Sequence, residues 1–72
     1  MQEFVRQELP VTAPPLVHYK HVCDERVVGY YSQEDMETMR SSLHTCLKMN
    51  LSDEIRADVN ELLEAIEKAL NA

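Results

Sequence analysis

The stretch LSDEIRADVNELLEAIEKALNA, residues 51–72, carries the clearest structural signal in the chain. Ser52 is a favourable N-cap residue, and the two acidic residues after it complement the dipole of a helix. Apolar residues then recur in steps of four and three, as they do along one face of a helix. This apolar stripe consists of Ile55, Val59, Leu62, Ile66 and Ala69, with Leu63 and Leu70 beside it. We therefore expect an amphipathic helix that closes a core and keeps its two flanking leucines for a second contact.

A second amphipathic helix is expected just before this stretch, over residues 32–49. Ser32 is its N-cap, and Asp35, three residues later, comes close to the capping-box pattern. The apolar stripe of this helix consists of Met36, Met39, Leu43, Cys46 and Leu47. About two to three residues separate the two helices, so they should form an antiparallel helical hairpin.

Residues 16–31 predict two β-strands that form an antiparallel hairpin. The segments LVHYKHVC (16–23) and VVGYY (27–31) are rich in valine and tyrosine and show no helical periodicity. The charged residues 24–26 between them include no glycine, which favours a loop of about three residues over a two-residue type I′ turn. Gly29, the only glycine of the chain, lies inside the second strand and predicts a β-bulge there.

The N-terminal residues allow two interpretations. Over residues 1–9 the apolar positions are spaced as on a short helix that ends before Pro10, yet the same segment could extend and pair as an edge strand. The proline-rich segment PVTAPP (10–15) predicts a semi-rigid spacer. We expect an N-terminal arm and linker over residues 1–15 and a single small domain over residues 16–72. The expected fold class is α+β: a β-hairpin packed on a C-terminal antiparallel helical hairpin, preceded by a short N-terminal helix or extended arm.

The charge of the chain limits its partners. The formal net charge is −6. Residues 1–32 contain three basic and four acidic side chains, a net of −1, and residues 33–72 contain four basic and nine acidic ones, a net of −5. Nucleic acid and anionic membranes both attract cationic groups, so the C-terminal half is a poor ligand for either. A basic protein partner fits this surface better.

Length and cysteine content bound the class of protein. A single core in a chain of 72 residues rarely supplies more than about 3–5 kcal/mol of stability without a staple or a partner, which favours self-association. Two cysteines do not make a disulfide framework, and the N-terminus lacks the apolar core of a signal peptide. No apolar run is long enough to span a membrane. We therefore expect a reduced, cytoplasmic protein.

Histidine and cysteine are the residue types that most suggest chemistry. Two His-x-Cys pairs occur, at residues 21–23 on a strand and 44–46 on a helix, and zinc prefers both ligand types. The strand pair shares one face, whereas residues two apart on a helix do not. The alternative interpretation is a small zinc-binding domain whose ligands are His18, His21, Cys23 and Cys46. Otherwise no cofactor and no enzymatic activity are expected, because a two-layer fold of this size has little room for a substrate pocket.

The remaining features are surfaces, and they predict a small acidic, non-catalytic module for protein interaction or regulation. Its expected partners are a second copy, in a homodimer, and an unidentified protein. Tyr30 and Tyr31 point to opposite faces of their strand, so one of them should be an exposed anchor. The residues expected to contact partners are Tyr30, Tyr31, Leu63 and Leu70. A further alternative is an acidic DNA mimic that inhibits a nucleic-acid-binding protein.

Overall fold

The computed structural model describes residues 1–11, 13 and 15–72. Its elements in chain order are β1 (Gln2–Leu9), β2 (Leu16–Cys23), β3 (Arg26–Ser32), α1 (Gln33–Leu47) and α2 (Asp53–Leu70). The three strands form one antiparallel sheet in the order β1-β2-β3, and the two helices follow it. The α+β fold class, with a β-hairpin packed on a helical hairpin, is thereby confirmed. The spacer predicted over residues 10–15 includes residues 12 and 14, which lie outside the described residues.

Residues 2–9 form the edge strand β1, and not the short helix that their apolar spacing allowed. β1 pairs with β2 along its whole length, from Gln2 opposite Cys23 to Leu9 opposite Leu16. This pairing satisfies the backbone groups of a segment that would be only marginally helical by itself. It also buries Phe4, which keeps 6% of its surface exposed. Residues 2–9 therefore belong to the folded unit, although the expected domain boundary lay at residue 16.

The connection between β2 and β3 is a two-residue turn, shorter than the three-residue loop that its lack of glycine favoured. Cys23 pairs directly with Arg26, and Asp24 and Glu25 between them have φ angles of 50° and 68°. A type I′ turn requires positive φ at both central residues, and its twist matches that of the flanking strands. Strand pairing thus imposes a left-handed conformation on two residues that lack the conformational freedom of glycine.

The predicted β-bulge is present beside Gly29. His21 pairs with Gly29, whereas the next residue of β2 pairs with Val27, so Val28 is the extra residue of the bulged strand. A Cβ atom on Gly29 would lie 3.4 Å from the Tyr31 hydroxyl oxygen and 3.6 Å from the Tyr31 ring. The ring of Tyr31 therefore covers the glycine, an arrangement that protects an otherwise bare position of an edge strand.

Both helices begin at the predicted caps. Ser32 Oγ accepts a hydrogen bond from the Asp35 amide at 3.0 Å, and the Ser32 amide donates to Asp35 Oδ2 at 3.3 Å. The two bonds make a complete capping box, although an aspartate stands where glutamate is usual. Ser52 Oγ accepts a hydrogen bond from the Ile55 amide at 3.3 Å. These bonds satisfy amide groups that have no partner inside their own helix.

Arg56 ties the start of α2 to the end of α1. Its Nη1 donates to the Leu47 carbonyl oxygen at 2.8 Å, and its Nη2 donates to the Met49 carbonyl oxygen at 3.1 Å. Both acceptors lie at the C-terminal end of α1, where unpaired carbonyl groups and the negative end of the helix dipole favour a cation. The half-buried guanidinium group therefore stabilises the connection between the helices.

Both helices pack on one face of the sheet. The described core cluster consists of Phe4, Tyr19, Met36, Ile66 and Ala69. Leu63 is also buried, with 6% of its surface exposed, whereas Ile55 on the predicted stripe is 52% exposed. α2 contacts both β1 and α1. Its buried face therefore includes Leu63 and is broader than the narrow apolar stripe of a coiled-coil helix. Neither α1 nor α2 has the length and hydropathy that a membrane-spanning helix requires.

Candidate functional site

The sheet has one covered face and one uncovered face. Phe4, Tyr19 and Tyr31 project toward α1 and α2 and lie in or against the core cluster. Successive residues of a strand project to opposite sides, so the sequence neighbours of these three residues point away from the helices. In the part of the chain that the structure describes, no helix packs on this second side, which we call the open face.

The register of the strands defines the members of the open face. Lys20 lies between Val5 of β1 and Tyr30 of β3, and Val22 lies opposite Val27. The open face consists of Glu3, Val5, Gln7 and Leu9 from β1, Leu16, His18, Lys20 and Val22 from β2, and Val27, Tyr30 and Ser32 from β3. Six of these eleven side chains are aliphatic or aromatic. The solvated face of an antiparallel sheet is normally its polar face, and this one mixes apolar with polar side chains.

The apolar side chains of the open face are accessible. Tyr30 is 60% exposed, Leu16 is 53% exposed and Val27 is 50% exposed. The rings of His18 and Tyr30 lie with their centroids 5.4 Å apart, and His18 Nε2 lies 2.8 Å from Gln7 Oε1. The Tyr30 ring therefore packs against a histidine that is itself hydrogen-bonded within the sheet.

The open face is electrically balanced, in contrast to the helical layer. Its charged side chains are one acid, Glu3, and one base, Lys20. Residues 33–72, which form both helices, carry a net charge of −5. A molecule that docks on the open face therefore meets no net charge, whereas one that docks on the helical layer must tolerate a strong negative potential.

The structure separates the residues that were expected to contact partners. Tyr30 lies on the open face, and Tyr31 lies on the covered face, with its ring centroid 6.2 Å from that of Phe4. The expectation that the two tyrosines occupy opposite faces is confirmed. Leu63 is buried in the folded chain, and Leu70 is partly buried against the core cluster.

The aliphatic members of the open face escaped the sequence analysis. Val5 and Leu9 lie on β1, and their place on this face depends on reading residues 2–9 as a strand. The alternation of Glu3, Val5, Gln7 and Leu9 is the signal that could have found them. It was obscured because the same segment also fits the spacing of a helix.

The four residues named for a zinc site do not converge. His18 belongs to the open face, whereas His21 and Cys23 project to the covered face of the same strand, and Cys46 lies on α1. No group of three or more potential metal ligands occurs within residues 1–11, 13 and 15–72. One ring nitrogen of each histidine in the sheet is engaged: His18 Nε2 lies 2.8 Å from Gln7 Oε1, and His21 Nε2 lies 2.8 Å from Gln2 Oε1.

His21 has an unusual environment on the covered face. Its ring stacks on Phe4, with centroids 4.2 Å apart and an angle of 11° between the planes. Its Nδ1 atom is buried, and no described group bonds to it. Burial lowers the pKa of His21 below its ordinary value of 6.5, because the charged ring would lose hydration.

A broad groove of about 900 Å³ opens at the end of the sheet near the start of α1. Arg6, Tyr19 and Gln33 are among the polar residues that line it. These groups are engaged with protein atoms: Arg6 Nη1 lies 2.8 Å from Glu8 Oε1, and the Tyr19 hydroxyl donates to Gln33 Oε1 at 2.5 Å. Among the described residues, these three polar groups of the groove are thus engaged with protein atoms and do not form a free set that orients a ligand.

The chain matches no protein family model, no curated protein sequence and no solved structure.

Proposed function

We propose that this chain is a non-catalytic protein-interaction module that binds through the open face of its sheet. The partner surface is an apolar protein surface without net charge. The observation that supports this proposal is the position of Leu16, Val27 and Tyr30, which expose half or more of their surface on a sheet face that no described helix covers. Large side chains of this kind make the strongest contributions when an interface excludes water from them.

The dimensions of the open face suit a small interface. Strands of about eight residues at about 3.4 Å per residue, spaced about 4.8 Å apart, make a face of roughly 27 by 14 Å, or about 380 Å². Only six of the eleven side chains are apolar, so the apolar part of the face is smaller than this and no larger than the patches of about 300–600 Å² found on typical monomers. A standard interface buries about 800 Å² on each partner, so contacts limited to this face correspond to a reversible complex.

The acidic helical layer complements this surface. It lies on the opposite side of the sheet from the open face and repels polyanions over several ångströms. The module therefore presents an apolar binding surface on one side and a solubilising surface on the other. A regulatory role follows naturally for such a module, because a reversible contact can be made and broken without chemical change.

The proposal is tested with the immobilised chain and a lysate of its source organism, using isotope-labelled bait so that endogenous copies are distinguished. Three baits are compared: the wild type, Tyr30→Lys on the open face, and Met49→Lys in the loop between the helices. Tyr30 and Met49 are both 60% exposed, so the two substitutions add the same charge at equally exposed positions. Circular dichroism establishes that all three baits are folded.

We expect specific proteins to be retained by the wild type and by Met49→Lys and to be lost with Tyr30→Lys. The physical reason is that a lysine ammonium group cannot be buried in an apolar contact without a large desolvation cost. Retention that is equal for all three baits, or that is lost only with Met49→Lys, would place the binding surface elsewhere and overturn the proposal.

A further inference from the structure

We infer that the molecule that covers the open face is a second copy of the same chain, packed sheet against sheet about a two-fold axis. This inference rests on the proposed function, since it names the partner of the same surface. It also gives the expected homodimer a different interface, the open face in place of the α2 leucines.

The charge distribution favours this arrangement. Each chain carries a net charge of −6, of which −5 belongs to residues 33–72. Contact between two helical layers would bring two strongly negative surfaces together. On the open face Glu3 and Lys20 leave no net charge, so contact there brings no like-charged surfaces together. The open face is thus the surface on which two copies of this acidic chain can meet with least repulsion.

The edges of the sheet are less suitable for self-association than its face. The outer strand β3 is irregular, because Val28 interrupts its pairing register, and a bulge of this kind hinders the addition of another strand. The other edge strand, β1, carries the charged residues Glu3, Arg6 and Glu8 among its eight residues. Pairing at either edge would also leave Leu16 and Val27 in water, whereas face-to-face packing covers them.

The α2 leucines offer little surface for a dimer in the folded chain. Leu63 is 6% exposed, so a contact through it would require α2 to leave the sheet. Leu70 is partly buried against the core cluster and offers only part of its side chain. Sheet-to-sheet packing needs no such rearrangement. Two sheets pack about 10 Å apart with their strands at an angle of about 30°, which would place the helices of both copies on the outside.

A second core would compensate for the small size of the first. Six described hydrophobic residues are buried in the single chain, which is a small core for 72 residues. Two faces of about 380 Å² bury about 760 Å² in total, less than the roughly 1,200 Å² at which standard interfaces begin, so contact through this face alone is weak. We therefore expect a dimer with a dissociation constant in the micromolar range or weaker.

Salt dependence distinguishes a second copy from a basic partner. Two chains of net charge −6 repel one another at long range, and added salt screens that repulsion. The homodimer should therefore tighten as ionic strength rises. A complex held by the acidic helices and a basic protein would weaken under the same change.

The test is sedimentation velocity of the purified protein over a concentration series from micromolar to millimolar, at low and at high salt. We expect the wild type and Met49→Lys to dimerise, more tightly at high salt, and Tyr30→Lys to bind itself at least about tenfold more weakly. A second matched pair, Val27→Lys and Ile55→Lys, replaces aliphatic residues that are 50% and 52% exposed and guards against misfolding of one variant. Isotope-filtered NOEs between Tyr30 and the partner chain's valine methyl groups would locate the contact directly.

The inference is overturned if the wild type stays monomeric through the whole series at both salt concentrations, or if open-face and control variants dimerise equally. A wild type that stays monomeric and yet retains a different protein only through an intact Tyr30 would overturn the homodimer and leave the interaction module standing. If the chain is monomeric and Tyr30→Lys also changes no retention from the lysate, both proposals fail.

Discussion

Glu25→Gly should stabilise this protein, although glycine usually destabilises a folded chain. Glu25 has a φ angle of 68° at the second central position of the β2–β3 turn. A residue with a Cβ atom in this left-handed region is strained by about 1–2 kcal/mol, and glycine is not. Asp24 at the first central position can remain, since aspartate tolerates this conformation better than glutamate does.

The expected gain is the difference between two opposing effects. Removing the strain contributes about 1–2 kcal/mol, whereas the greater freedom of glycine in the unfolded chain costs about 0.5–1 kcal/mol. The two ranges leave a net increase in the free energy of unfolding of about 0–1.5 kcal/mol, with a midpoint of about 0.75 kcal/mol. For a domain of this size each kcal/mol shifts the melting temperature by about 4–8 °C, so the midpoint corresponds to a rise in Tm of about 3–6 °C.

The assay is urea denaturation followed by circular dichroism, at a fixed protein concentration because self-association adds to apparent stability. Glu25→Gln is the control for the lost charge, since it keeps the strained backbone. Glu37→Gly is the control for glycine itself, because Glu37 is an exposed residue of α1 and should lose about 1 kcal/mol. If Glu25→Gly is no more stable than Glu25→Gln, or is destabilised as Glu37→Gly is, the left-handed conformation of residue 25 is refuted.

Two further predictions concern His21 and Arg56. Burial lowers the pKa of His21, so below pH 6.5 the unfolded chain binds more protons than the folded chain. The contribution of His21 to stability is therefore complete above that pH. It declines as the pH falls toward the lowered pKa of the folded state. We therefore expect the wild type to lose more stability than His21→Phe in urea titrations from about pH 8 to pH 5. His21→Phe keeps an aromatic ring against Phe4 and serves as the control. Parallel plots of the free energy of unfolding against pH for the two proteins would contradict this prediction. Arg56→Ala should lower the free energy of unfolding by about 1–3 kcal/mol, because it removes two charged hydrogen bonds to carbonyl groups. The control is Lys68→Ala on the exposed side of α2, which should change the free energy of unfolding by less than about 0.5 kcal/mol. An equal effect of the two substitutions on the urea midpoint would show that the Arg56 contacts do not stabilise the fold.

The features that could be read from the sequence are those that depend on nearby residues. The caps at Ser32 and Ser52 were predictable because each cap bonds to an amide only three residues away. The opposite orientations of Tyr30 and Tyr31 follow from the twofold periodicity of any strand. The bulge beside Gly29 was predictable because a glycine inside a strand weakens regular pairing.

The candidate site was only partly predictable, because it depends on contacts between residues that are distant in the sequence. The sequence predicted that one of Tyr30 and Tyr31 is exposed, and the structure exposes Tyr30. Its companions Val5 and Leu9 were not predicted, because they join the open face only when β1 pairs with β2. Leu63 was expected at a partner surface, and the packing of α2 against both α1 and β1 buries it. Which apolar residues remain on the surface depends on how many neighbours each element has, and local periodicity does not contain that information.

The sequence alone therefore determined two capped amphipathic helices, an alternating hairpin before them and the acidic charge of the helical layer. Their energies come from hydrogen bonds and side-chain patterns within one element or one turn. The tertiary structure decided that residues 2–9 extend as β1, that Asp24 and Glu25 adopt a type I′ turn, and that one sheet face stays uncovered. Those outcomes depend on backbone pairing between segments distant in the chain, which overrides the weak local preferences of short stretches.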